Sequence, residues 1–351
     1  MPRLAQFVSD LIKSGLVDPA AIGPAAREIA DPESSEAAQV VADRLVAGGF
    51  LTSYQSRKLL AGVTKGFILG GYRILEPIGK GGSSKVYLAE RADDRRRFAI
   101  KVLPPQSGAD RNRLVETFRR EIAFSTRIKH GNVAAAIDLG SAGNVLYIIM
   151  EYIPGSSLYD LVKIHPGRPL AVAEAAPIFQ KIVDGVIAIH EAGIIHRDIK
   201  PSNIMITPEG DVRVLDLGLA ISIEETGKAR SSDPDGLIGT ADYVSPEQAD
   251  NPSAVDARSD LYSLGCTFYF ALSGRAPFDG GDALNKIYKH HLDNPEPLER
   301  LVGGVPAGLA ALIAKLMAKR PADRYPSARA VAADLAYFAK PKTSKGLSAR
   351  G

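Results

Sequence analysis

The stretch "HRDIKPSN", residues 196–203, followed by "VRVLDLGLA", residues 212–220, decides how this chain is read. It sets Asp198, Lys200, Asn203 and Asp216 at short fixed intervals. A carboxylate such as Asp198 accepts hydrogen bonds only, so it can orient a hydroxyl and take its proton. Lys200 can neutralise charge on a phosphate in transfer. Asn203 and Asp216 offer the oxygen ligands a hard cation such as Mg²⁺ prefers. Moving a phosphoryl group is mostly positioning and charge neutralisation, and this set supplies both.

Upstream, "GKGGSSKV" spans Gly79, Lys80, Gly81, Gly82, Ser83, Ser84, Lys85 and Val86 between two strand-like runs. Its glycines let the backbone close over a phosphate, although a glycine-rich hairpin by itself is far more often a plain turn. Lys101 in "AIKV" is a lysine inside an apolar strand. It either snorkels to water or directs its ammonium at α- and β-phosphates. Glu121, on an expected helix over 114–129, is either solvated or holds Lys101 in place.

This ordered set resembles the eukaryotic-like, Hanks-type serine/threonine protein kinases of bacteria, over roughly Tyr72 to Phe338. "SPE" (245–247) stands at the family's Ala-Pro-Glu, and "SDLYSLGC" (259–266) at its central helix, where Asp260 is expected to brace the catalytic loop. Arg324 in "RPADRY" stands where the family pairs an arginine with Glu247, and Thr240 where a threonine contacts Asp198 and Lys200. Lys200 two residues after Asp198 is the serine/threonine signature. The lead-in "LTSYQSRKLLAGVTKGFILGGY" resembles the extension of planctomycete kinases. The resemblance implies an α+β, bilobal kinase fold with a small β-rich lobe and a large helical lobe. It also implies ATP and Mg²⁺ as cofactors, and proteins bearing Ser or Thr as substrates. Adenine is expected between the lobes, sandwiched by Ile78, Val86, Ala99 and Met205, with backbone bonds from Glu151 and Ile153 and Met150 as gatekeeper.

The sequence departs from the family at four places. Ser84 replaces a glycine, and Leu217 replaces the phenylalanine of the metal motif while keeping its apolar role. Ser125 stands where a large apolar residue anchors the helix of Glu121, and Gly131 replaces a proline. The last two predict activity that must be switched on. The segment between Gly218 and Gly239 is long and polar, and offers Thr226, Ser231 and Ser232 as phosphate acceptors. The alternative is a pseudokinase scaffold. It would be marked by loss of Lys101, Asp198, Asn203 or Asp216, and all four are present.

Residues 1–66 read as a separate helical module for docking or bracing. Leu4, Phe7, Val8, Leu11 and Ile12 follow the spacing of one helix face. "DP" at 18–19 and at 31–32 suits a capping Asp before Pro, Gly48 and Gly49 suit a helix stop, and "TSYQ" (52–55) suits a capping box. "LIKSGLVD" (11–18) and "LVAGGFLT" (45–52) form a faint repeat, too short for a solenoid. Seven basic side chains balance seven acidic ones here, which argues against DNA binding. The kinase domain is expected over 72–338, with a basic tail over 340–351.

Forty-three Lys and Arg against 40 Asp and Glu leave a net charge of +3, too small to imply nucleic acid as a partner. Cys266 is the only cysteine, so no internal disulfide can form. No stretch approaches the roughly 18 apolar residues of a membrane span. Ser9, Asp10 and Lys13 interrupt any secretory core at the start, so a cytoplasmic protein is expected.

Overall fold

The computed structural model describes residues 2–103, 115, 116, 119, 122 and 126–339, less 28, 30, 33, 35, 82, 83, 165–168, 216–240 and 252–254. Most of the helix expected over 114–129, and the tail over 340–351, lie outside the described residues. The chain divides into two units, Met1–Ser107 with Ile137–Tyr152, and Gly108–Ala136 with Ile153–Gly351.

The first unit begins with four helices. The apolar stripe of α1 (Leu4–Ser14) buries Phe7 and Leu11, and the helix stops at Gly15, whose φ of 67° suits a residue without Cβ. Helix α2 (Pro19–Ala26) starts as its "DP" predicts: Asp18 accepts from the Ala20 amide, and Pro19 occupies the first turn. Helix α3 (Ala37–Ala47) buries Ala38, Val41, Ala42 and Leu45 and is capped at Gly48. The second "DP" opens no helix among the described residues from 31 to 36. Between Asp31 and Glu36 the one apolar residue, Pro32, is exposed, and Ser34 instead closes local turns, its amide on Asp31 O and its hydroxyl accepting from Glu36 N. Helix α4 (Ser53–Leu60) carries the expected capping box between Thr52 and Gln55. Phe7, Leu11, Ile22, Val41, Leu45 and Leu59 close these helices into a core of their own.

Six strands follow: β1 (Ile68–Leu69), β2 (Tyr72–Gly81), β3 (Ser84–Arg91), β4 (Arg97–Val102), β5 (Ala136–Ala142) and β6 (Val145–Glu151), in the order β1-β2-β3-β4-β6-β5. The ladders β2–β3, β3–β4 and β4–β6 are antiparallel. Ile74, Ala89, Phe98, Ile100, Tyr147 and Ile149 form the core of the sheet, with Tyr54 of α4 packed against it.

The second unit holds β7 (Ser156–Ser157), α5 (Leu158–Ile164), α6 (Val172–Glu191), β8 (Ile204–Ile206), β9 (Val212–Val214), α7 (Pro246–Asp250), α8 (Ala257–Ser273), α9 (Ala283–Leu292), α10 (Leu298–Leu301), α11 (Ala307–Leu316) and α12 (Ala328–Ala339). Every residue of α8 from Ser259 to Leu272 is buried, so this helix is enclosed around its whole circumference and forms the axis of the unit. Gly265 allows α11 close to it, since a Cβ there would meet Leu316 and Met317 at 2.8 and 2.7 Å. Strands β7, β8 and β9 form a small sheet that carries the segment between Asn203 and Leu215.

Candidate active site

In the second unit the quoted octapeptide follows the turn that ends α6, and its shape is set from the buried helix α8. Asp260, fully buried, accepts the His196 amide on Oδ2 at 2.8 Å and the Arg197 amide on Oδ1 at 2.7 Å. His190 Nε2 lies 2.8 Å from the same Oδ2. Arg197 has φ of 63°, a left-handed conformation that costs a non-glycine residue on the order of 1 kcal/mol. It is held there from both sides: its amide is tied to Asp260, and its carbonyl accepts from Gln248 Nε2 at 2.8 Å.

The buried His196 ring crosses the loop. Nδ1 accepts the Asp198 amide at 3.2 Å, so the proton sits on Nε2, which donates to Leu215 O at 2.7 Å. The Leu215 amide in turn donates to Asn203 O at 2.8 Å. The loop is thereby fastened to the residue immediately before Asp216.

Asp198, Lys200 and Asn203 are brought together. Asp198 Oδ2 lies 2.8 Å from Lys200 Nζ and accepts from Asn203 Nδ2 at 2.9 Å. The same Nδ2 donates to Asp198 O at 2.8 Å. A single 3-10 turn, Pro201–Asn203, brings the asparagine back over the aspartate. Both bonds fall on Oδ2, and among the described residues Oδ1 carries none. Asn203 Nδ2 is likewise committed, so Oδ1 is the amide atom with electrons to offer a cation. Asp198 keeps 17% of its side chain exposed and Lys200 19%, enough to be reached while shielded from most water.

The first unit carries the other expected residues. Lys101 is half-buried in β4, opposite Val86 of β3 and Ile148 of β6. Ala99 is buried opposite Leu88 and Met150, and Glu151 ends β6 opposite Phe98. Gly79 pairs with Val86, Lys80 with Lys85 and Gly81 with Ser84, while Ile78 sits exposed at a register shift. In the second unit, Ile153 is buried and Met205 lies in β8 opposite Ser157 and Arg213. Glu121, Asp216, Gly82, Ser83, Ser125, Leu217, Gly218 and Thr240 lie outside the described residues.

Three contributors were not singled out from sequence. His190 meets Asp260, 70 residues further on, Gln248 reaches Arg197 of the loop from 51 residues away, and Ser259 donates to Glu247. Nothing local marks them, because their partners are supplied by packing.

The sequence model of the protein kinase domain matches residues 72–335. The serine/threonine-protein kinase Pkn2 of Myxococcus xanthus is 38% identical over 272 residues, 76% of this chain and 32% of that protein. The serine/threonine-protein kinase PknB of Mycobacterium tuberculosis is 38% identical over 268 residues, 75% of this chain and 42% of that protein. The chain thus spans less than half the length of these curated relatives. The crystal structure of the M. tuberculosis PknI kinase domain overlays with a TM-score of 0.60 at 24% identity, covering 77% of this chain and 97% of that one, which is a likeness of fold. No described helix is long and apolar enough to cross a membrane.

Proposed function

We propose, since the chain belongs to the protein kinase family, that it transfers the γ-phosphate of ATP to serine and threonine hydroxyls of proteins. The observation that carries this is the Asp198–Lys200–Asn203 cluster, in which one carboxylate oxygen is held by two donors and the other is left for a substrate hydroxyl. Asp198 orients that hydroxyl and receives its proton, and Lys200 balances charge on the phosphoryl group in flight. Asn203 and Asp216 are the oxygen donors that would hold Mg²⁺, which when bound neutralises phosphate charge. The half-buried Lys101 would grip the α- and β-phosphates, held by Glu121. Residues 79–86 would cover the phosphates, and Ile78, Val86, Ala99, Met205, Glu151 and Ile153 would hold the base.

Incubation with radiolabelled ATP, Mg²⁺ and a mixed serine/threonine peptide library tests this. Lys101→Ala is expected to cut turnover by about 10²–10³-fold, the usual loss of one electrostatic stabiliser, and Asp216→Ala to abolish it. Wild-type turnover in both variants would overturn the mechanism.

The switch falls between Gly218 and Gly239, outside the described residues. Arg197 supports it from within the described ones: its Nε is buried and has no partner among them. A phosphate on Thr226, Ser231 or Ser232 brings about −1.5 to −2 charges and acceptor oxygens for a guanidinium. Mass spectrometry after incubation with ATP is expected to find phosphate in this window, and the Thr226/Ser231/Ser232 triple-alanine variant to lose activity. Full activity in that variant with no phosphate found would sink the assignment.

A further inference from the structure

Strand β2 slips register twice against β3. Ile74 pairs with Ala89 and Glu76 with Leu88, so Leu75 faces no partner residue; beyond Pro77 the same happens at Ile78. A bulged residue takes its backbone off the ladder, and polar groups left there must be satisfied elsewhere. Near Leu75 they are satisfied from the helical module. Thr52 Oγ1 donates to Leu75 O at 2.6 Å, and Gln55 Nε2 donates to Ile74 O at 2.6 Å. Arg73 Nη2 reaches Phe50 O and Gln55 Oε1, and the Ile74 amide donates to Phe67 O at 2.8 Å.

Thr52 and Gln55 are also the capping box of α4, and that box does not require these two residue types. Aspartate caps a helix as well as threonine, and glutamate closes a box as well as glutamine. A hydroxyl can accept the Gln55 amide and still donate to Leu75 O, which a carboxylate cannot. Only a carboxamide can accept the Thr52 amide and still donate to Ile74 O. The strand, not the helix, accounts for both choices. Gln55 is fully buried, and Leu59 roots α4 in the helical core, so the mount is rigid.

We propose that Thr52 and Gln55 are positioning residues for the nucleotide. They lock the bulge at Leu75, and because a bulge sets local bend and twist, they set the aim of the β2–β3 hairpin whose tip is the glycine-rich loop. This makes the module a brace for catalysis, and it rests on the kinase reading above.

Thr52→Asp and Gln55→Glu in the full chain keep the cap acceptors and remove the two donors, while Thr52→Ser keeps both functions. Each bulge-breaking variant is expected to raise the KM for ATP about three- to tenfold, the loss of one hydrogen bond, with kcat nearly unchanged. Amide hydrogen exchange over residues 74–86 is expected to quicken, and Thr52→Ser to match wild type. A lower melting temperature with unchanged KM and unchanged exchange would reduce the contacts to structural ones and overturn the proposal. If the wild type transfers no phosphate, the kinase reading fails by itself; exchange over 74–86 then still decides whether the module holds the hairpin.

Discussion

Asp198→Asn is expected to lower kcat by about 10²–10⁴-fold, the range for losing a positioned general base. The substitution is nearly isosteric. The amide oxygen can still accept from Lys200 and Asn203, so the loop should keep its shape. What disappears is the negative charge and the oxygen that takes the proton. Because neither acts on ATP in the ground state, the KM for ATP should move little, and kcat/KM should fall in step with kcat. Single-turnover transfer from radiolabelled ATP measures the step directly. A transfer rate within a few-fold of wild type would remove Asp198 from the chemistry.

The surroundings explain why this loss should not be compensated. Arg197 is held at positive φ by Asp260 and Gln248, and the next residue, Asp198, has its amide fixed by His196. Its carboxylate is fixed in turn by Lys200 and Asn203. A group so constrained cannot swing aside to admit water or another side chain in its place.

The elements that could be read in the sequence are those whose chemistry is local. Residues 196–203 are confined to one loop, so their types and order already limit what they can do together. The α8 helix was legible because residues 259–266 carry a recognisable pattern, and the cap at Thr52–Gln55 because a capping box spans four residues. What escaped depends on three-dimensional packing. His190 meets Asp260 only because α6 and α8 lie side by side, and Gln248 meets Arg197 only because the fold brings α7 within hydrogen-bond reach of the loop. The second role of Gln55 escaped because a capping pattern speaks only of the helix that follows it. The "DP" at 31–32 misled for the opposite reason: a local cap signal counts for little where no apolar face follows to be buried.

Arg324→Ala is expected to destabilise the protein by about 3–5 kcal/mol, the cost of stranding one member of a buried ion pair. At roughly 2–4 °C per kcal/mol, the melting temperature should drop roughly 6–20 °C. The Arg324 side chain is fully buried, and all five of its N–H donors are used. Nη1 reaches Glu247 Oε1 at 2.6 Å and Arg258 O at 2.9 Å; Nη2 reaches Glu247 Oε2 at 2.8 Å and Lys319 O at 2.9 Å; Nε reaches Ala318 O at 2.7 Å. The guanidinium also lies 4.8 Å from the Tyr262 ring centroid. Removing it leaves three carbonyls without this donor and the Glu247 carboxylate with Ser259 in place of a cation. Arg324→Lys should recover little, since an ammonium cannot serve a planar fork. The effect must also depend on pH. Burial pushes the Glu247 carboxyl up, but hydrogen bonds from Arg324 and Ser259 outweigh it and hold the group below its ordinary 4.5. A carboxyl depressed by folding contributes stability above its unfolded value and loses it as pH falls through the folded one. In Arg324→Ala burial is opposed by the Ser259 hydrogen bond without the guanidinium, so Glu247 protonates more readily and the variant is spared part of the penalty in acid. The gap in melting temperature between wild type and Arg324→Ala should therefore be widest near neutrality and narrow below about pH 4.5. Equal melting temperatures at neutral pH would reject the pair as a structural tie, and a gap that widens in acid would reject the assigned protonation.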